Sequence, residues 1–258
     1  MMTPTHTYQG RPSPSSSTDV KPQAVMPAKL YPKYKVPKGL QPIPISCRDK
    51  LKEFFNNLDT KTVEKYIEDW TDLSPKGAND ISNRWKFSYC TMNTAWERSC
   101  EQFETIRHTN GVVPKSMLME KLAQSSGGMW ESKSNGIHHF SILWWKQRDI
   151  FTPTDNWQDW RNSLIDTLVN IGQAKISFAI EMTHPLTAQC ICLDRHMLRA
   201  LGWDDHGKSP TLSQYIHYED YWLNQSEKRK IPPVISRNIY WDRIQQQQNS
   251  YYWAHVIK

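Results

Sequence analysis

Asp194 directly precedes the apolar run Met197, Leu198 and Leu201, which places a carboxylate at the start of a short helix. The helix dipole favours the ionised form there. A fixed carboxylate of this kind can stabilise the cationic, oxocarbenium-like sugar formed when a base–sugar bond breaks, or activate a water. The same residue is a good N-cap, and taken alone Asp194 reads as a plain capping aspartate. Upstream, Val169-Asn170-Ile171-Gly172 turns the chain between two apolar-faced segments. One carries Trp157, Trp160, Leu164, Ile165 and Leu168, the other Ile176, Ala179 and Ile180. A glycine ending so short a turn permits a left-handed or tight backbone. It leaves the first N–H groups of the next helix free, and with the helix dipole they favour a phosphate. Asn170, Ile171, Gly172 and Gln173, with Lys175 close behind, are therefore candidate contacts to a nucleic-acid backbone. Helix, glycine turn, helix is also an ordinary structural device, and spacing alone does not choose between the two.

Other groups carry less. Cys190 and Cys192 form a C-x-C pair with no second pair, a weak metal signal. An extended lead-in to Asp194 with buried thiols explains them better. His138, His139 and His184 lack ligand spacing such as H-E-x-x-H. No G-x-S-x-G elbow, P-loop or dinucleotide fingerprint occurs, so neither a serine triad nor a nucleotide cofactor is expected. The aromatic content, 12 Trp, 11 Tyr and 7 Phe, is high enough to raise base stacking as a use, but most of these rings are expected in the core.

The elements that must position these residues are helical. Nine of the sixteen prolines lie between Pro4 and Pro44, beside the Ser15-Ser16-Ser17 run. Proline fixes φ and removes a donor, so residues 1–45 read as a disordered or extended arm. That arm holds six basic residues and one acid, which is most of the net charge of +6, and leaves residues 46–258 nearly neutral. Such an arm suits attraction to a polyanion, and equally suits solubility. From Ser46 the apolar spacing becomes helical: Leu51, Phe54, Phe55 and Leu58 form one stripe, and Asp59 or Thr60 caps a second helix with Val63, Tyr66, Ile67 and Trp70. The spacing predicts further helices at 79–91, 95–108, 114–124, 136–151, 157–168, 174–183, 194–201, 211–224 and 236–247. Alternating patterns are scarce, so the fold class is all-α. The C-terminal tract from Ser236 onward is expected to pack on this body, with Arg237, Tyr240 and Ile244 on one helix side and Asp242 and Arg243 facing solvent. No apolar run approaches the roughly 18 residues of a membrane span. The polar start and the odd, irregularly spaced cysteines fit an intracellular location, in cytoplasm, nucleoid or nucleus.

The region around Asp194 resembles the helix-hairpin-helix DNA glycosylase superfamily, which includes endonuclease III and the adenine and 8-oxoguanine glycosylases. Leu168-Val169-Asn170-Ile171-Gly172 matches its L-P-G-I-G or L-P-G-V-G hairpin, and Cys192-Leu193-Asp194-Arg195-His196-Met197-Leu198-Arg199 matches its D-x-H-V/M-x-R segment. A weaker match places Tyr89-Cys90-Thr91-Met92-Asn93-Thr94 at the L-S-x-Q-x-T turn. The resemblance implies a helical glycosylase-like domain over 46–258, Asp194 as catalytic aspartate and the hairpin as phosphate holder. It also implies that Met92, and His138 or His139 in a turn at 136–139, border a pocket for an extruded base. The partner implied is double-stranded DNA, bound by a monomer. Members that also cut the strand place a lysine two residues after the last hairpin glycine. Ala174 stands there and Lys175 follows, turned by about 100° on a helix, so the implied activity is monofunctional base excision. The cysteine loop of iron–sulfur relatives is absent. No cofactor is required, and a monovalent cation at the hairpin is the one ion this reading allows. The alternative is a DNA-binding or base-modification module on the same scaffold without excision, of the kind a virus that hypermodifies its own DNA would use.

Overall fold

The computed structural model describes residues 36–203 and 208–245, all within one packed unit. Among the described residues there are eleven α-helices, one short 3-10 helix and no strand. The helices are α1 (Ile45–Asn56), α2 (Thr60–Asp72), α3 (Ala78–Cys90), α4 (Trp96–Ile106), α5 (Lys115–Ala123) and α6 (Trp130–Lys146). After the 3-10 turn Arg148–Phe151 come α7 (Trp157–Thr167), α8 (Gln173–Thr183), α9 (Arg195–Ala200), α10 (Leu212–Lys228) and α11 (Pro233–Ile244). None is long and apolar enough to cross a membrane.

Local chemistry sets many of the boundaries. Asp59, Asn156, Asp194 and Thr211 each accept a backbone N–H from the first turn of the helix they precede. Pro44, Pro114 and Pro232 stand at three other starts, where a proline is tolerated because the first N–H groups have no helical partner anyway. The last turn at α9 closes on Gly202, whose φ of 83° only glycine adopts freely.

At the centre α3 packs on α8, and α3 also meets α4 and α6. From Ile176 to Thr183 every residue of α8 is buried. A helix buried on all sides must settle its charged residues internally. Arg84 of α3 does so by donating to Met182 O and Leu73 O and pairing with Asp80 at 3.0 Å. Around this centre α5 packs on α6, α7 on α8, and α11 on α2 and α10. Most aromatic rings fill this core, as in the T-shaped Phe55–Trp222 and stacked Trp85–Phe140 contacts.

Three expectations are corrected here. The segment at 136–139 is not a turn but the middle of α6, which begins at Trp130. Its glycine answers a close approach: a Cβ at Gly136 would lie 2.4 Å from the Tyr89 ring and 3.0 Å from Val169 O. Packing also begins upstream of residue 46. Ile43 is buried, and Gln41 exchanges backbone bonds with the Gln214 amide at 2.7 and 2.9 Å. Asp242 does not face solvent; it is buried and accepts from Tyr66 OH at 2.5 Å. The rest of the expected arm, residues 1–35, lies outside the described residues, as do 246–258 of the C-terminal tract.

Gly136 gives a test of sign. In an exposed helix interior Gly→Ala stabilises by about 1 kcal/mol. Gly136→Ala is expected instead to cost about 1–3 kcal/mol in urea unfolding, because α3 and the hairpin must move apart. A stabilised variant would contradict the close packing.

Candidate active site

Between α8 and α9 the chain runs buried and outside any helix or strand through Cys190, Ile191, Cys192 and Leu193. Its backbone groups are met by side chains. Ile191 N donates to Glu219 Oε1 at 2.8 Å, Cys192 N to Glu181 Oε1 at 2.7 Å and Leu193 N to Tyr215 OH at 2.8 Å. Tyr215 OH donates in turn to Ile191 O at 2.8 Å, and Arg237 Nε to Cys192 O at 3.2 Å. Each such group left unmet would cost about 1–3 kcal/mol, so five bonds decide whether this segment can be buried at all. The acids that supply them are themselves held. Glu219 pairs with Arg161 at 3.0 Å with neither side chain exposed, and Gln158 Nε2 adds a bond at 2.9 Å. Burial pushes Glu219 above the usual carboxylate range, while Arg161 and the Ile191 N–H oppose it. Burial pushes Glu181 up to about 7 against the pull of Arg237. The Cys192 thiol is pushed up to about 12 and Cys190 well above its ordinary value, both by burial, so neither is a thiolate near neutrality.

This segment delivers Asp194 to the rim of a broad cleft. Asp194 Oδ1 accepts from Met197 N at 3.0 Å, which makes it the cap of α9. Its Oδ2 accepts from Trp241 Nε1 at 2.8 Å and lies 3.4 Å from Arg237. The carboxylate is thus both a cap and an oriented, partly exposed charge.

The same cleft is bordered by Met92, Asn170, Gly172, Gln173 and Lys175. Ile171 is buried beneath the hairpin. The left-handed residue of the hairpin is Asn170, φ 58°, and not Gly172, which is extended at φ −104° and ψ 175°. Asparagine is among the residues that tolerate this region best, and its Nδ2 is bonded to Ser132 O at 3.0 Å. Nothing lies within 4 Å of where a Cβ at Gly172 would be. The first intrahelical bonds of α8 run from Lys175 and Ile176 to Gly172 O, so the N–H groups of Gln173 and Ala174, two residues that border the cleft, have no acceptor within the helix. Both Ala174 and Lys175 border the cleft, because the whole first turn of α8 does. The expectation that a one-residue shift turns the lysine away is therefore not met. Its Nζ lies 5.6 Å from the Phe178 ring centroid, and its charge acts on Cys192.

His138 and His139 do not join this group. They sit on α6 away from the cleft lining, with His138 Nδ1 2.7 Å from Val113 O. Trp96, Phe178, Trp203 and Trp241 offer the aromatic surfaces there instead. Met92 belongs to a turn fixed by the buried Lys133, whose Nζ donates to Cys90 O at 2.8 Å and to Thr94 Oγ1 and Gln102 Oε1 at 2.6 Å. Burial pulls that ammonium down to about 8. The cleft carries exposed Arg195, Arg199 and Lys208 besides Lys175, so the nearly neutral body concentrates positive charge where the hairpin and Asp194 meet.

The helical architecture finds its counterpart in solved structures. The 8-oxoguanine DNA glycosylase of Methanocaldococcus jannaschii superposes with a TM-score of 0.63 at 19% identity, over 77% of this chain and 94% of that one. The same archaeon's 8-oxoguanine glycosylase/lyase in complex with a 15mer DNA containing 8-oxoguanine matches at 0.63 and 18% identity, over 79% and 99%. The enzyme of Thermotoga maritima matches at 0.61 and 19%, over 76% and 96%. The chain has the fold of these DNA glycosylases. No protein-family profile and no curated protein sequence matches it. The sequence places the hairpin and Asp194 as candidates and gives no role to Glu181, Glu219 and Tyr215, which bond the backbone of residues 191–193, or to Arg237 and Trp241, which contact the Asp194 carboxylate. One signal is present in the sequence: Glu181 is the only charged residue in the run from Ile176 to Met182.

Glu219→Ala tests this support. It strips a buried Arg161 of its counter-charge and leaves the Ile191 N–H unmet. The expected loss is about 3–5 kcal/mol in urea unfolding; a loss below about 1 kcal/mol would mean that the segment is held otherwise.

Proposed function

We propose that the protein binds double-stranded DNA, extrudes a nucleotide into the cleft and cleaves its base–sugar bond by monofunctional excision. The observation that carries this reading is the convergence on one cleft of Asp194 and the first turn of α8. Gln173 and Ala174 N–H would hold one phosphate, while Arg195, Arg199 and Lys208 draw the strand in. As the C1′–N bond breaks, the electron pair leaves with the base and the sugar becomes cationic. Asp194 faces that charge as water adds its OH to C1′, and the proton lost by the water passes to the departing base, directly or by way of the Asp194 carboxylate. The products are a free base and an abasic site. The solved structures that share the fold are 8-oxoguanine glycosylases, so an oxidised purine is the first substrate to test. A second reading has one observation in its favour: both Asp194 oxygens already accept protein donors, which suits a scaffold that binds an extruded base without excising it.

The two readings separate on duplexes carrying 8-oxoguanine, uracil, mismatched, alkylated or hydroxymethylated bases, each incubated and then heated in alkali. Strand breaks at the altered base support excision; binding without breaks supports the second. In Asp194→Asn the side-chain oxygen can still cap α9 while the amide NH2 meets the Trp241 and Arg237 donors, so the melting point is expected to drop modestly and DNA affinity to stay within a few-fold of the wild type. Base release should fall on the order of 100-fold or more. A fully active variant would reduce Asp194 to a cap. Borohydride is expected to trap no covalent adduct, because Ala174 occupies the lysine position; a Lys175-dependent adduct would overturn monofunctional excision.

A further inference from the structure

The Arg237 guanidinium lies between two carboxylates. On the cleft side its Nη2 is 3.4 Å from Asp194 Oδ2, and on the inner side its Nη1 is 3.6 Å from Glu181 Oε2. Its Nε donates to Cys192 O at 3.2 Å, while Cys192 N donates to Glu181 Oε1 at 2.7 Å. One residue of the Asp194 lead-in is thus clasped on both backbone atoms by the same acid–base pair. Glu181 Oε2 has no hydrogen-bond donor, and both Glu181 and Arg237 are almost wholly buried. The outer carboxylate is one-fifth exposed and faces the cleft.

We propose that Arg237 is a positioning residue for Asp194, and that the proton on Glu181 sets how much of the Arg237 charge Asp194 receives. The inference rests on the excision reading for its consequence, though not for its geometry. With Glu181 protonated, Arg237 loses one of the two carboxylates described around it, and more of its charge compensates Asp194. When Glu181 loses its proton, one cation serves two anions. Asp194 then presents more uncompensated charge to a cationic sugar, so base release quickens as pH rises.

The other groups around Glu181 do not blur this. Asp194 and Glu219 repel its charge, from the start of α9 and from α10, and burial is the largest influence, which together bring its titration to about pH 7. Glu219 is itself tied to Arg161 of α7. The Cys190 and Cys192 thiols beside it stay neutral in this range because burial raises both. Arg84 of α3 spends its charge on Asp80 and on the Leu73 and Met182 carbonyls. Lys175, on the same helix as Glu181, lies two turns away at the cleft end.

Two measurements on the full chain test the proposal. In single-turnover base release from about pH 6 to about pH 8.5, the wild type is expected to speed up roughly fivefold across a step near neutrality. Glu181→Gln, which keeps an oxygen for Cys192 N, should run flat at the slow level. A step that survives in Glu181→Gln overturns the proposal. Carbon-13 carboxyl NMR of the wild type needs no substrate. The Asp194 signal, assigned with Asp194→Asn, should show an inflection at the pH where Glu181 titrates, and Glu181→Gln should remove it. No inflection in the wild type also overturns the proposal. If no duplex is cleaved but the inflection is present, the coupling stands and the excision reading alone fails.

Discussion

A polypeptide segment that runs through a protein interior outside any helix or strand must find partners for its N–H and C=O groups among side chains. Here that requirement falls on residues 190–193, and it organises the helices around them. Glu181 comes from α8, Tyr215 and Glu219 from α10, and Arg237 from α11. Two of these are acids, and a buried acid needs a cation: Arg161 of α7 answers Glu219, and Arg237 answers Glu181. Four helices are therefore registered against one short segment by directional bonds, where apolar packing alone would tolerate sliding. The buried charges do not explain stability, since well-packed apolar residues do as well or better. What they fix is the place at which the segment emerges, and Asp194 is the residue at that place.

One helix ties the two working parts together. The first turn of α8 borders the cleft, and two turns later the same helix supplies Glu181 to the carboxylate's lead-in. A rigid helix buried along most of its length holds these parts at a constant separation. The hairpin before it is pinned on its other side, where Asn170 Nδ2 bonds Ser132 O and Val169 O lies against Gly136. A phosphate held at the hairpin and a sugar held at Asp194 would thus be spaced by covalent structure and not by side-chain rotamers.

How much of this could be read from the chain follows from range in sequence. Helices announce themselves by local spacing, and nearly all were placed within a few residues. The hairpin and Asp194 are also local, each a short run of adjacent residues. Gly136 misled because a glycine demanded by the Tyr89 ring, 47 positions away, looks the same in sequence as one demanded by a turn. The left-handed hairpin residue was sought at Gly172 for the same reason, while Asn170 filled that role at little strain. Asp242 looks like a surface residue of an amphipathic helix because its partner Tyr66 lies 176 positions distant, and the role of Arg237 is hidden because Asp194 lies 43 positions away. The arm boundary was set by proline density, which says where helices cannot form and nothing of where packing starts; Pro42 and Pro44 flank the buried Ile43.

Side chains alone hold residues 191–193 as firmly as a helix holds its own backbone. Native-state hydrogen exchange tests it directly. The amides of Ile191, Cys192 and Leu193 should exchange only through global unfolding, with the same urea dependence as the amides in the middle of α8. Exchange through small local openings, insensitive to urea and much faster than in α8, would contradict it.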